Sequence, residues 1–297
     1  MIRIRVSVGT AKVLGLKKLK MDVPLYTAYF LIGERCIYDC AYCSRASSAS
    51  SSPELLSRVL WPSYDFKEVV ERLQNVDCFK RLCVQVVNEP NYMDDLSRVL
   101  KSLCSFDIPI SVSVRPSSME EVRRIFDLGI ERMGIGFDVA SPRLFPAYRG
   151  GDYRRSLELV LKVASEYPGR TTTHLIVGLG ESDEEILRLV SIFFSASITV
   201  ALFAFTPVKG TKLEHLPPPP LERYRRIQML SYAMEKGILT FEDLEFDDRG
   251  RLKEIPEMNF WEDKAFLTRG CPDCTRPYYN ERPQCVPYNI FSEGGVN

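Results

Sequence analysis

From residue 27 to residue 205, short runs of apolar and β-branched residues alternate with longer stretches whose apolar positions recur at helical spacing. This alternation predicts βα units around a parallel sheet. Strands are expected at Thr27–Gly33, Leu82–Val87, Ile108–Val114, Arg132–Asp138, Thr172–Gly178 and Thr199–Phe205. Six of them predict an α/β fold, a partial (βα)6 TIM-type barrel. Between the strands, Ser118 precedes an acidic first turn and the stripe Val122, Ile125, Phe126 and Leu128, with Gly129 as the stop. Ser182 and Glu185 form a capping box before Ile186 and Leu187. Pro217 to Pro220 read as a stiff polyproline spacer, and Leu221–Lys236 as a helix ending at Gly237. The chain therefore divides into residues 1–237, a barrel with an N-terminal extension, and 238–297, a loop-rich C-terminal extension. Ser47 to Ser52 read as flexible linker, and no internal repeat appears beyond the βα alternation.

Thirty-nine basic and 39 acidic residues cancel, so no global field draws the chain to nucleic acid or to an anionic membrane. No apolar run reaches the roughly eighteen residues that would span a bilayer. Nine cysteines, an odd count without an apolar signal segment, argue against a secreted disulfide framework and for reduced thiols in the cytoplasm. With two histidines and no GxSxG, a hydrolase triad has no support. His174, in the fifth strand, reads as core or cavity wall, and His215 as surface.

The chemistry lies in the cysteines. Cys36, Cys40 and Cys43 in CIYDCAYC have the CxxxCxxC spacing that suits a 4Fe–4S cluster, with three thiolates from one loop leaving the fourth iron open to a small molecule. Zinc is the alternative, but the nearest histidine is the distant His174. The loop directly follows the first strand, and in parallel barrels functional groups gather at the carboxyl ends of strands. A second set, Cys271, Cys274 and Cys285 in GCPDCTRPYYNERPQC, could hold a second iron–sulfur cluster, or zinc with a fourth ligand, or remain unligated. Cys78, Cys83 and Cys104 lie in apolar surroundings and read as small core residues.

With Tyr42 before the last cysteine, the first loop resembles the signature of the radical SAM superfamily. The resemblance implies that S-adenosyl-L-methionine (SAM) chelates the open iron. One electron then cleaves it to methionine and a 5′-deoxyadenosyl radical that abstracts hydrogen from substrate. Asn88-Glu89-Pro90 is similar to that superfamily's Gly-Gly-Glu motif, with Val87-Asn88 where the glycines stand, and this implies Glu89 as partner of the SAM amino group. Asp138 resembles a strand-end Asp of the biotin synthase branch, which implies contact with the ribose hydroxyls. Arg149 in AYRGGDY resembles the Arg of that branch that forks the SAM carboxylate, with Arg154 and Arg155 as alternatives. HLIVGLGES is similar to a run beside adenine, which implies Gly178 and Gly180 there, and TPVKGTKL also resembles this branch.

IGERCIYDCAYCSRAS and CPDCTRPYYNERP together look like the two-protein lipoyl synthases, across nearly the whole chain. That resemblance implies a sulfurtransferase acting at an unactivated C–H bond of a protein-bound octanoyl group, with the cluster on Cys271, Cys274 and Cys285 as sulfur donor. Implied partners are an octanoylated lipoyl carrier protein or peptide, a paralogous lipoyl synthase subunit and a reductant such as ferredoxin. The sequence departs from single-chain lipoyl synthases, whose auxiliary cysteines precede the SAM motif and whose near-terminal Arg-Ser-Ser-Tyr supplies a serine ligand. No such tetrapeptide is present, and Ser292 is the candidate fourth ligand. The alternatives are a methylase, rearrangement or cofactor-assembly enzyme with a non-sacrificial second cluster, or a non-catalytic metal-binding scaffold.

Overall fold

The computed structural model describes residues 2–21, 23–256, 263–276 and 285–290. Ser292 therefore lies outside the described residues. In chain order the elements are β1 (Arg3–Val6), α1 (Val8–Val13), β2 (Thr27–Ile32), β3 (Leu55–Leu56), β4 (Val59–Leu60), β5 (Ser63–Asp65) and α2 (Phe66–Leu73). Next come β6 (Arg81–Val86), α3 (Tyr92–Leu103), β7 (Ile110–Ser113), α4 (Met119–Phe126), β8 (Arg132–Asp138), α5 (Phe145–Tyr148) and α6 (Tyr153–Glu166). The series closes with β9 (Thr171–Val177), α7 (Asp183–Ser195), β10 (Thr199–Ala204) and α8 (Leu221–Glu235).

Eight strands form one sheet in the order β10-β9-β8-β7-β6-β2-β1-β5. The six expected strands are its parallel part, running from β2 through β6, β7, β8 and β9 to β10. Beyond them β1 pairs antiparallel with β2, and β5, at the sheet edge, antiparallel with β1, two strands not expected from the sequence. Among the described residues no pairing joins β10 to β5, so the barrel is open. The parallel strands are apolar on both faces because helices cover one side and the lumen is filled by the other; all six residues of β2 are buried. Leu31, Leu82, Leu96, Phe137 and Phe193 are among the fully buried side chains, each contributing about 1.5–3 kcal/mol by leaving water.

Helix boundaries follow local chemistry. Ser118 Oγ accepts the Glu121 N–H at 3.2 Å to start α4, and the Ser182–Glu185 box starts α7. Gly129 and Gly237 follow α4 and α8 with φ of +89° and +66°. The C-terminal extension packs back on the barrel: Gly250 O accepts the Glu184 N–H at the start of α7. Farther on, Arg81 Nε donates to Pro272 O at 2.7 Å and Thr27 Oγ1 to Asp273 O at 2.6 Å. Residues 270–276 thus sit beneath the amino ends of β2 and β6. The run Ser47 to Ser52 is not a free linker. Ser48 Oγ donates to Asp39 at 2.6 Å, Ser50 N–H to Gly210 O at 2.9 Å, and Ser51 Oγ to Lys209 O at 2.7 Å.

Candidate active site

Gly33 ends β2 with φ +84° and lets the chain turn into the cysteine loop; a Cβ there would lie 2.7 Å from Val87 O. Three separate contacts then fix the loop. Glu89 Oε1 accepts the Glu34 and Arg35 N–H groups at 2.6 and 2.9 Å, Ile37 N–H donates to Asn88 O, and Ala41 N–H to Tyr148 O. Inside the loop, Arg35 Nη1 donates to Ser44 O and Ala46 O, and Arg45 Nη1 to Glu34 O. The result brings Cys36, Cys40 and Cys43 to one wall of a cavity of about 250 Å³ at the carboxyl ends of the strands.

Each thiol receives donors. Tyr38 N–H lies 3.4 Å from Cys36 Sγ, Arg45 N–H 3.4 Å from Cys43 Sγ, and Arg149 Nη1 3.1 Å from Cys40 Sγ, with Arg115 Nη1 at 3.6 Å. Arg45 is 2 % exposed, and its Nε and Nη2 have no hydrogen-bond partner among the described residues. Orphaned buried donors beside a thiol are costly unless an anion takes them. Burial pushes the Cys43 thiol up to about 12 and raises Cys36 as well, so binding iron must displace their protons. Three thiols, two guanidiniums on one sulfur and a third guanidinium with two unpartnered nitrogens fit an anionic iron–sulfur cluster held by thiolates.

Across the cavity, Asp138 ends β8 at a bulge with φ +64°. Its Oδ2 accepts the Tyr42 hydroxyl at 2.7 Å and pairs with Arg149 Nε at 3.1 Å. Burial alone would lower the Arg149 pKa, yet Tyr42, Asp138 and Cys40 hold it above the ordinary value. Arg154 and Arg155 are exposed on α6, so Arg149 is the arginine of the three that reaches the cavity. Asn88 also lines it, pinned to the end of β7 by exchanging hydrogen bonds with the Arg115 backbone at 3.0 and 3.3 Å. Arg115 was not expected from the sequence. Its side chain stacks on Tyr38 at 3.9 Å and donates to Arg149 O and Gly150 O. Its position directly after a β run was the available signal.

Three expected residues stand off this cavity. The Glu89 carboxylate that caps the loop is not part of the wall. Gly178 and Gly180, with φ +103° and +105°, face Pro219 and Leu144 instead of open space. Their turn is held by Glu181, which accepts the Gly178 and Leu179 N–H groups at 2.8 Å and pairs with Arg223 at 2.9 Å. His174 does reach the cavity, edge-on to Phe203 at 5.2 Å, and burial with the nearby Arg276 charge lowers its pKa to about 4. His215 is exposed, as expected.

The remaining cysteines differ from expectation. Cys78 and Cys104 are exposed, not core: Cys78 lies in the loop between α2 and β6, and Cys104 caps the carboxyl end of α3. Cys83 is buried. It lines a second cavity of about 90 Å³ together with Cys271 and Cys274, whereas Cys285 is exposed and lies off that wall. Among the described residues no helix is long and apolar enough to cross a membrane.

The model of the Radical SAM superfamily matches residues 30–192, more than half of the chain. The biotin synthase of Persephonella marina is 22% identical over 186 residues, 60% of this chain and 54% of that protein. The lipoyl synthase of Buchnera aphidicola is 25% identical over 183 residues, 59% and 55%. The chain spans about half the length of these curated relatives. Among solved structures, methylornithine synthase superposes with a TM-score of 0.55 at 14% identity, covering 75% of this chain and 66% of that one. A maturase of the FeFe-hydrogenase gives 0.55 at 15%, covering 71% and 50%. At these identities the structures show a shared fold, and the family match covers the cysteine loop, Asp138 and Arg149 alike. The chain belongs to the radical SAM superfamily.

Proposed function

We propose that this chain is a lipoyl synthase-like sulfurtransferase that inserts sulfur at an unactivated C–H bond of a protein-bound octanoyl group. One observation carries the reading: two separate sets of thiols face adjoining cavities that share Gln85, Ser113, His174 and Phe203 as walls. The partial matches to lipoyl and biotin synthases support it. The family implies a 4Fe–4S cluster and SAM. When bound, the cluster and SAM supply hydrogen abstraction from an aliphatic C–H bond, and a second cluster supplies sulfur.

The chain's own residues have defined tasks in this reading. Cys36, Cys40 and Cys43 hold the first cluster, while Arg45 and Arg115 balance its charge. Asp138 offers an acceptor to ribose hydroxyls while Tyr42, donating to its Oδ2, holds the carboxylate in place, and Arg149 offers a guanidinium to the SAM carboxylate. Glu89 acts through the loop, keeping the cysteines in register. Leu31, Val86, Ile176 and Phe205 make the cavity wall apolar, which suits an alkyl chain and keeps water from a reactive carbon. An octanoylated carrier protein, a paralogous subunit and a ferredoxin-type reductant are the partners this implies. Nine free cysteines suit a reducing compartment such as the cytoplasm.

Anaerobic incubation with an octanoyl-lysyl peptide, SAM and dithionite, with and without the paralogous protein, tests the function by mass spectrometry. A gain of one sulfur atom on the peptide is expected. Formation of 5′-deoxyadenosine without that gain would favour methylation or rearrangement, and no SAM cleavage at all would favour a scaffold.

A further inference from the structure

We propose that Cys83, Cys271 and Cys274 together hold the second iron–sulfur cluster at the lower mouth of the barrel, and that Cys285 is outside its ligand set. The proposal deepens the sulfur-donor reading by naming which side chains grip the donor, and it stands on the geometry of residues far apart in sequence.

The tail is seated so that two thiols point upward into the lumen. Arg81 Nε holds Pro272 O, Thr27 Oγ1 holds Asp273 O, and the Tyr26 N–H donates to Thr275 Oγ1 at 3.0 Å. Between these anchors the chain makes a tight turn: Asp273 has φ +60° and the Cys274 N–H returns to Cys271 O at 3.0 Å. A CxxC turn of this kind projects both sulfurs to one side. Cys83, on β6, faces them across the cavity, near enough for the charges of Cys271 and Cys274 to act on it.

Each of the three sulfurs also has its own polar neighbour. Gln85 Nε2 donates to Cys83 Sγ at 3.1 Å, the Tyr29 hydroxyl lies 3.3 Å from Cys274 Sγ, and the Thr172 hydroxyl 3.6 Å from Cys271 Sγ. N–H and O–H groups aimed at sulfur are what bound thiolates use to spread their charge. Two nearly buried guanidiniums, Arg81 and Arg276, line the same cavity and offset an anionic cluster. Among the described residues no three His, Cys, Asp or Glu side chains converge on a single ion. A cluster needs no such convergence, because its ligands sit at separate corners.

The position also fits the proposed chemistry. The cavity of this trio meets the larger one at Gln85, Ser113, His174 and Phe203, so an alkyl carbon in the upper cavity would lie between the two thiol sets.

The test uses the full chain with Cys36, Cys40 and Cys43 all replaced by Ala, leaving the second cluster as the source of protein-bound iron after anaerobic reconstitution. In that background Cys83→Ala and Cys83→Ser are each expected to lose most of the bound iron and sulfide and the charge-transfer absorbance near the visible, while Cys285→Ala keeps them. Thermal melts of the unreconstituted proteins show whether each variant folds; the Ser variant, nearly isosteric, guards against a packing defect. Retention of iron by both Cys83 variants, or its loss from Cys285→Ala, would overturn the assignment. Because no turnover is involved, the ligand assignment stands or falls on this test apart from the sulfur-donor reading, which sulfide loss during turnover of the parent protein tests separately.

Discussion

Arg149 Nε lies 3.1 Å from Asp138 Oδ2, and the same guanidinium reaches Cys40 Sγ with Nη1 and Gly136 O with Nη2. One side chain thus ties the carboxyl end of β8 to the cysteine loop. Gly136 permits this, since a Cβ there would come within 3.0 Å of Asp138 Oδ1. Arg149→Met leaves the Asp138 carboxylate partly buried without its cation, and is expected to cost about 2–4 kcal/mol in urea unfolding. Arg149→Met with Asp138→Asn should cost less than the sum of the two single changes, because the stranded charge is gone.

Glu89 separates two roles that the sequence alone leaves fused. As a cap of the Glu34 and Arg35 amides, its loss in Glu89→Ala should cost about 1–3 kcal/mol and slow cluster reconstitution. Glu89→Gln keeps a carbonyl acceptor and should recover most of both. Were Glu89 instead a direct partner of a ligand ammonium, SAM titration by calorimetry would find the Gln and Ala variants equally impaired.

A methyl group at Gly33 would strike Val87 O at 2.7 Å on a backbone with φ +84°. Gly33→Ala is therefore expected to destabilise by about 2–3 kcal/mol and to abolish iron uptake by the first site. Gly169 has a similar φ of +69° but open space around it. Gly169→Ala should cost about 1 kcal/mol and leave iron uptake intact, which circular dichroism melts and iron analysis would show.

His174 links stability to pH. Its folded value of about 4 is below the ordinary 6.5, so the unfolded chain binds the proton more tightly. Stability from the neutral ring is complete above 6.5 and falls as pH drops from 6.5 to 4. Because the ring borders the cavity and is half-buried, a loss of roughly 1–2 kcal/mol is expected. His174→Gln should flatten that part of the profile relative to the parent in denaturant titrations at several pH values.

The parallel strands were legible because each is buried on two faces and reads as an apolar run bounded by turn residues. β1 was not, since it is four residues long with Arg3 and Arg5 alternating with Ile4 and Val6, and β5, at the sheet edge, is three residues long. Cys36, Cys40 and Cys43 announce themselves by spacing within one loop. Arg45 and Arg115 carry no spacing signal; their roles depend on burial beside sulfur, which the fold creates. The same holds for Cys83, which reads as a core residue until residues 270–276 bring two further thiols to it. Gly178 and Gly180 were legible as special backbone, but Pro219 stands against the first and Leu144 against the second where a ligand was expected.

In the proposed function, the second thiol site holds a cluster that gives up sulfur. Acid-labile sulfide should be counted against thiolated octanoyl peptide in a single anaerobic turnover. Sulfide is expected to fall in step with product. Product accumulating while the sulfide count stays constant would contradict it.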